Sequence, residues 1–266
     1  MRHVLFIAGL LAFGGFLLLA FSDRGDAQAN QWGTIKGRVI WNKAIAIPAR
    51  KEIPVTVDPQ HCLKDNPTAD AKNGTILDEE LLIDAKDRGI KNVFVYLVVK
   101  PGETIPIHPN LTKFPPALEL DQPACMFFPR ALAIREGQNV VVKNSAPVTH
   151  NIRWIGDGIE NQGGNVTIKS GDKADIKDLK AQRLPLSLEC NIHGWMKGRL
   201  AVVAHPYFAI TDEHGNFEIK DAPVGDRKLM IYQETQGYRL GAKGKDGEPI
   251  AVKTGVNSLG ELEMGK

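Results

Sequence analysis

An all-β fold is predicted for this chain of 266 residues, and three observations predict it. Glycine and proline are plentiful, at 26 and 16 residues, which favours tight turns over long helices. Short runs rich in β-branched and aromatic residues recur between those turns. Only one stretch, Leu77 to Lys86, short and acidic after Asn73-Gly74, reads as a helix. Hydrophobic residues at 43% and charged ones at 24% describe an ordinary folded protein and exclude a disordered one. A formal charge of only +2 argues against a dedicated nucleic-acid binder.

In chain order, residues 1–29 read as a targeting segment. Arg2 and His3 precede an apolar run from Val4 to Phe21, and Ala27-Gln28-Ala29 supplies a small-x-small cleavage pattern. The expectation is a cleaved signal peptide, export to the periplasm or beyond, and no membrane span in the mature chain. Retention as an N-terminal anchor facing the periplasm is the alternative. Strands follow at Thr34 to Trp41 and Val93 to Val99, then a Pro-rich connection from Ile105 to Pro116. The middle of the chain carries Ala117 to Leu120, Ala131 to Arg135, Val140 to Lys143, Asn151 to Ile155, Asn165 to Ile168, Leu186 to Glu189 and Arg199 to Ala204. The last part adds Tyr207 to Thr211, Asn216 to Ile219, Lys228 to Tyr232 and Ile250 to Lys253. Many short strands at turn-separated spacing define sandwiches or barrels.

The flanks share a texture that the middle lacks. Gly33-Thr-Ile-Lys-Gly-Arg-Val39 and Asn92-Val-Phe-Val-Tyr-Leu97 resemble the opening strands of transthyretin-like, carboxypeptidase-regulatory-like sandwiches. Thr211 to Gly225, with a turn at Asp212 to Gly215 and Phe217 facing inward, resembles the close of the same fold. The expected organisation is a signal peptide (1–29), an outer N-terminal part with its linker (30–114), a middle domain (115–205) and an outer C-terminal part (206–266). The middle is then inserted into, or packed on, a smaller split sandwich.

The stretch that carries chemistry is Cys190-Asn-Ile-His193-Gly-Trp-Met196, taken with His150 forty positions earlier. A thiolate, two imidazoles and a weak thioether are the donor set of a mononuclear blue-copper site. A Cys ending one strand, a His after a short turn and a Met opening the next strand can all point at one atom. His150, in Val148-Thr-His-Asn-Ile-Arg-Trp154, supplies the second imidazole from a neighbouring strand.

On these residues the middle domain resembles a cupredoxin, most closely of the amicyanin type, which shares the Cys-x2-His-x2-Met spacing. Phe128-Pro-Arg-Ala-Leu-Ala-Ile-Arg-Glu-Gly137-Gln-Asn-Val-Val-Val-Lys-Asn144 is similar to the segment that leads to the family's first His, and His150-Asn151 repeats its His-Asn pair. Gly194 departs from the Pro of amicyanin-type loops. The whole chain also resembles exported bacterial proteins of the methylamine-utilisation type. The resemblance implies one type 1 copper held by His150, Cys190, His193 and Met196, with Asn151 and Asn144 supporting the loops. It implies electron exchange with redox proteins through an exposed His193 edge beside Trp195, and no catalytic residue. With Cys190 as the thiolate ligand, Cys62 and Cys125 remain as a disulfide in an oxidising compartment.

Two other roles compete with electron carriage: copper storage or delivery, and a non-redox adhesion or carbohydrate-binding module. An enzyme is disfavoured, because four protein ligands leave little room for substrate on the metal. No G-x-S-x-G, H-E-x-x-H, P-loop or dinucleotide fingerprint occurs. A second soft-metal site from Cys125-Met126 with His61 or His108 has no spacing to support it.

Overall fold

A computed structural model describes residues 31–100 and 102–265. The targeting segment expected over residues 1–29 lies outside the described residues. The rest is nearly all strand, with a single α-helix, Pro59–Asp65, among the described residues. None of the described helices is long and apolar enough to cross a membrane.

The helix expected over Leu77 to Lys86 is not there. Strand Thr75–Leu77 ends at its start, and turns follow. The reason is local competition from short carboxylates. Asp78 Oδ1 accepts the amide of Glu80 at 2.7 Å, and Asp84 Oδ1 accepts those of Lys86 and Asp87 at 2.7 and 2.9 Å. Pro59 instead opens the true helix, a position where its missing N–H is no loss.

Two sandwiches make up the fold. In the middle one, a five-stranded sheet runs Gly164–Ile168, His150–Ile155, Leu186–Glu189, Lys197–Val203 and Ala131–Arg135. It faces a three-stranded sheet of Lys173–Ile176, Asn139–Lys143 and Ala117–Leu120. Leu132, Ile134, Val140, Val142, Ile152, Leu188 and Leu200 fill the space between. In the other sandwich both flanks share sheets: Trp32–Trp41 lies between Asn216–Pro223 and Gly255–Met264. Across a core of Ile35, Val39, Val95, Leu97, Ile219 and Ile231 stands the sheet built on Phe94–Leu97 and Gly225–Gln233. Gly215, at φ +77°, closes the turn after Asp212, and a Cβ there would meet Val39 O at 2.1 Å.

The two sandwiches meet along strands with two dry faces. In Ala131–Arg135, Leu132 and Ile134 point into the middle core, while Ala131 and Ala133 point the other way. Lys197–Val203 repeats this, with Leu200 and Val202 inward and Ala201 and Val203 outward. Those small outward residues receive Phe94, Tyr96, Phe208, Ile210 and Tyr232 of the other sandwich.

One boundary is corrected. Residues 52–77 were expected with the outer part, yet Val55, Cys62 and Ile76 are buried in the middle core. Their small sheet of Glu52–Pro54, Thr75–Leu77 and Ala69–Asp70 is tied to the middle sandwich by the Cys62–Cys125 disulfide and by Asn66 Nδ2 donating to Ala124 O at 3.3 Å. Covalent and polar anchoring, rather than sequence proximity, decides where this segment sits.

Candidate metal centre

Strand pairing sets the site. Leu186–Glu189 and Lys197–Val203 form an antiparallel pair with Glu189 opposite Lys197, so the intervening segment Cys190 to Met196 is a closed loop. Cys190 N donates to Met196 O at 3.2 Å, and Met196 N donates to His193 O at 2.8 Å. The adjacent strand pairs Glu189 with Arg153, which brings His150 to the same end of the sheet. A Cβ at Gly194 would meet nothing within 4 Å, so steric crowding does not demand glycine in this loop.

Two asparagines pin these loops. Asn144 Nδ2 donates to Val148 O and Ile168 O, both at 2.9 Å, and its Oδ1 accepts Ala146 N at 3.1 Å. That clamps the turn leading into His150. Asn151 Oδ1 accepts Asn191 N at 2.7 Å and lies 3.2 Å from Cys190 Sγ, while its Nδ2 donates to Asn165 Oδ1 at 2.7 Å.

The outcome is a buried cluster of three donors. His150 and His193 are fully buried and Cys190 nearly so. One nitrogen from each ring and the sulfur lie within 4.8 Å of one another. The two Nδ1 atoms face each other at 2.9 Å, and Cys190 Sγ is 4.0 Å from His193 Nδ1. Met196 is buried at the end of the same loop.

Burial alone would raise the Cys190 thiol, but hydrogen bonds from His150, His193 and the backbone outweigh it and pull the thiol down to about 5. Burial opposes the charge on His193 too, yet the Cys190 sulfur and the Asp58 carboxylate raise its pKa. The two shifts together favour negative charge on the sulfur and positive charge on the imidazole beside it.

These residues fit a soft first-row ion. Two imidazole nitrogens sharing a tetrahedral ion stand about 3.3 Å apart for nitrogen–zinc bond lengths. The facing nitrogens need only a small separation to admit one.

The metal-free site predicts a signed pH dependence. The Cys190 contribution to stability is complete above the unfolded thiol value of about 8.5 and is lost as pH falls through about 5. The raised His193 contributes fully below an unfolded value of roughly 6.5, and that contribution is lost as pH rises through its folded pKa. Urea midpoints of the metal-free protein should therefore rise from about pH 5 and climb less steeply above roughly 6.5, where the His193 contribution begins to be lost as the Cys190 contribution still grows. In Cys190→Ala the acid limb flattens, and an unchanged limb rejects the assignment.

One expectation fails. His193 was expected to show an exposed edge, but it is wholly buried: its Nε2 lies 3.0 Å from Asp58 Oδ2. The disulfide also lies against the ring, both sulfurs coming within 4.8 Å of one of its nitrogens. Asp58 precedes the helix Pro59–Asp65 and carried no local signal, since its contact spans 135 residues. Trp195 is partly buried, 5.4 Å from the His193 ring, with Nε1 donating to Cys125 O at 3.1 Å. The disulfide also removes Cys125 from any second soft-metal site. Elsewhere, burial pushes His205 down to about 4, and it stands 3.0 Å from Leu97 O.

No protein-family model and no curated protein matches the chain. Solved structures similar to it include cupredoxins and a copper enzyme. A Cu-containing nitrite reductase from Thermus scotoductus is 21% identical over 34% of this chain, with a TM-score of 0.30. The chain spans only 23% of that reductase. A purple cupredoxin from Nitrosopumilus maritimus is 22% identical over 32% of this chain and 97% of its own, with a TM-score of 0.27. An amicyanin variant is 17% identical over 33% of this chain and 82% of its own, with a TM-score of 0.30.

Proposed function

We propose that the chain is an exported mononuclear copper protein that carries single electrons between redox proteins. The observation that carries this reading is the buried convergence of His150, Cys190 and His193 within 4.8 Å. Two imidazoles and one thiolate, with Met196 at hand as a weak thioether, select copper over harder cations. Copper bound there would supply a one-electron couple, Cu(II) accepting an electron from a donor protein and Cu(I) passing it to an acceptor.

The protein's own residues do the remaining work. His150 and His193 would offer Nδ1, Cys190 a thiolate that is already ionised at neutral pH, and Met196 its sulfur. Asn144 and Asn151 hold the two loops so that the donors barely move when charge changes. Burial excludes water and keeps the site closed to substrates, which favours carriage over catalysis. With the His193 edge covered, Trp195 is the aromatic outlet toward the surface, beside Lys51, Ile192 and Lys197 along an open groove.

Loading the purified protein with copper should give one copper per chain and an intense thiolate-to-copper absorption. Cys190→Ser should abolish that band completely while leaving the far-ultraviolet circular dichroism of the sandwich intact. A colourless wild-type protein rejects the proposal.

A further inference from the structure

The covered face of His193 has a specific chemistry. Asp58 stands at the N-terminal end of the helix Pro59–Asp65 with φ 47° and ψ 44°, a left-handed posture uncommon outside glycine and asparagine-like residues. An Asp at this position ordinarily caps the first amides of its own helix. Here the side chain makes no such bond. Its carboxylate reaches instead across the fold to His193 Nε2 at 3.0 Å, while the backbone carbonyl of Asp58 accepts His61 N and Cys62 N at 3.0 and 2.9 Å.

The helix is also held in place. Cys62, one turn further on, is bonded to Cys125, whose carbonyl accepts Trp195 Nε1 at 3.1 Å. Ligand loop, disulfide and helix thus form one connected unit around the imidazole. Nδ1 and Nε2 lie on different sides of a five-membered ring. With Nδ1 facing His150 and the Cys190 sulfur, Asp58 meets His193 on the other nitrogen and does not compete for the metal position.

We propose that Asp58 is a positioning residue for His193: it accepts the Nε2 proton, fixes the tautomer that presents Nδ1 to copper, and by its negative charge favours Cu(II) over Cu(I). This inference rests on the copper reading above. Carboxylates behind a metal-binding imidazole orient the ring and raise its basicity, and losing one typically weakens metal binding about 10–100-fold. The added charge acts on the more highly charged oxidation state more strongly.

The test compares wild type, Asp58→Asn and Asp58→Glu, each copper-loaded, by voltammetry and by nitrogen-15 NMR of the diamagnetic Cu(I) form. Asp58→Asn keeps the shape and removes the charge. Its Cu(II) affinity should fall about tenfold relative to its Cu(I) affinity, which raises the reduction potential by about 59 mV for a one-electron couple. Asp58→Glu should return most of the way to wild type. The wild-type spectrum should show a protonated His193 Nε2. A potential unchanged in Asp58→Asn, or an Nε2 without a proton in wild type, overturns the proposal. Should Asp58→Asn fail to fold, Asp58→Ser takes its place, and a potential unchanged there overturns the proposal. A wild-type protein without the thiolate-to-copper band overturns the copper reading itself, and is seen before any variant is compared.

Discussion

Replacing Cys62 and Cys125 together by alanine should lower the unfolding free energy by about 4 kcal/mol, the chain-entropy value for a bridge spanning some sixty residues. The bridge joins positions 63 apart and connects a segment of small strands to the middle sandwich. Few other contacts could replace it. The small sheet contributes only Glu52–Pro54, Thr75–Leu77 and Ala69–Asp70, and the helix beside it has seven residues. A segment of that size does not hold itself together in water. The expected midpoint fall is roughly 10 °C for a chain of this length. Hydrogen exchange should show the extra opening concentrated over residues 52–77, with the strands of Trp32–Trp41 and Gly225–Gln233 little changed. A loss below about 1 kcal/mol would show that packing of Val55 and Ile76 suffices without the bridge. The same variant exposes the Asp58 side of His193, so Trp195 fluorescence should change with it.

The convergence of His150, Cys190 and His193 depends on short-range order, which a sequence displays. Cys190, His193 and Met196 occupy one hairpin loop whose ends are fixed by the pairing of Glu189 with Lys197. His150 opens the neighbouring strand, so a period-two reading of Asn151 to Ile155 already places it at the right end of the sheet. Strands such as Ala131–Arg135 and Leu186–Glu189 were legible for the same reason. Strand Gly255–Met264 was not, because its burial is mostly slight and Gly255 and Gly260 break its pattern. The helix was misplaced for a different reason: the acidic run at 78–80 suits a first helical turn, but Asp78 and Asp84 bond to nearby amides and hold turns. Asp58 was invisible because its partner lies 135 residues away and no periodicity links them. Covalent linkage set the placement of residues 52–77, and a cysteine count can suggest a pair without saying which neighbouring residues it carries along.

The join between the two sandwiches was equally hidden, since alternation in Ala131–Arg135 reveals one apolar face and leaves the small residues of the other unexplained. The structure resolves them as a seam, and at its edge lies a buried carboxylate paired across it. Glu234, almost wholly buried, follows strand Gly225–Gln233 of the outer sandwich. It pairs with Arg130 Nη1, and its Oε2 accepts Arg199 Nε at 2.9 Å. Both arginines belong to the middle sandwich, Arg130 just before Ala131–Arg135 and Arg199 within Lys197–Val203. Glu234→Ala therefore strips the counter-charge from a buried Arg130 and leaves Arg199 with one partner fewer. Breaking a buried pair from one side costs about 3–5 kcal/mol, because the remaining charge stays out of water. Part of that cost is relieved if the seam opens, so the loss should appear as uncoupling. Unfolding curves, expected to be single in wild type, should split in Glu234→Ala, with the outer sandwich leaving first. Arg130→Met with Glu234→Leu removes both charges and should recover most of the loss, since the apolar contacts of Phe94, Tyr96 and Phe208 with Ala131, Ala133 and Ala201 are untouched. A single transition in Glu234→Ala, shifted by less than about 1 kcal/mol, would place the strength of the join in those apolar contacts alone.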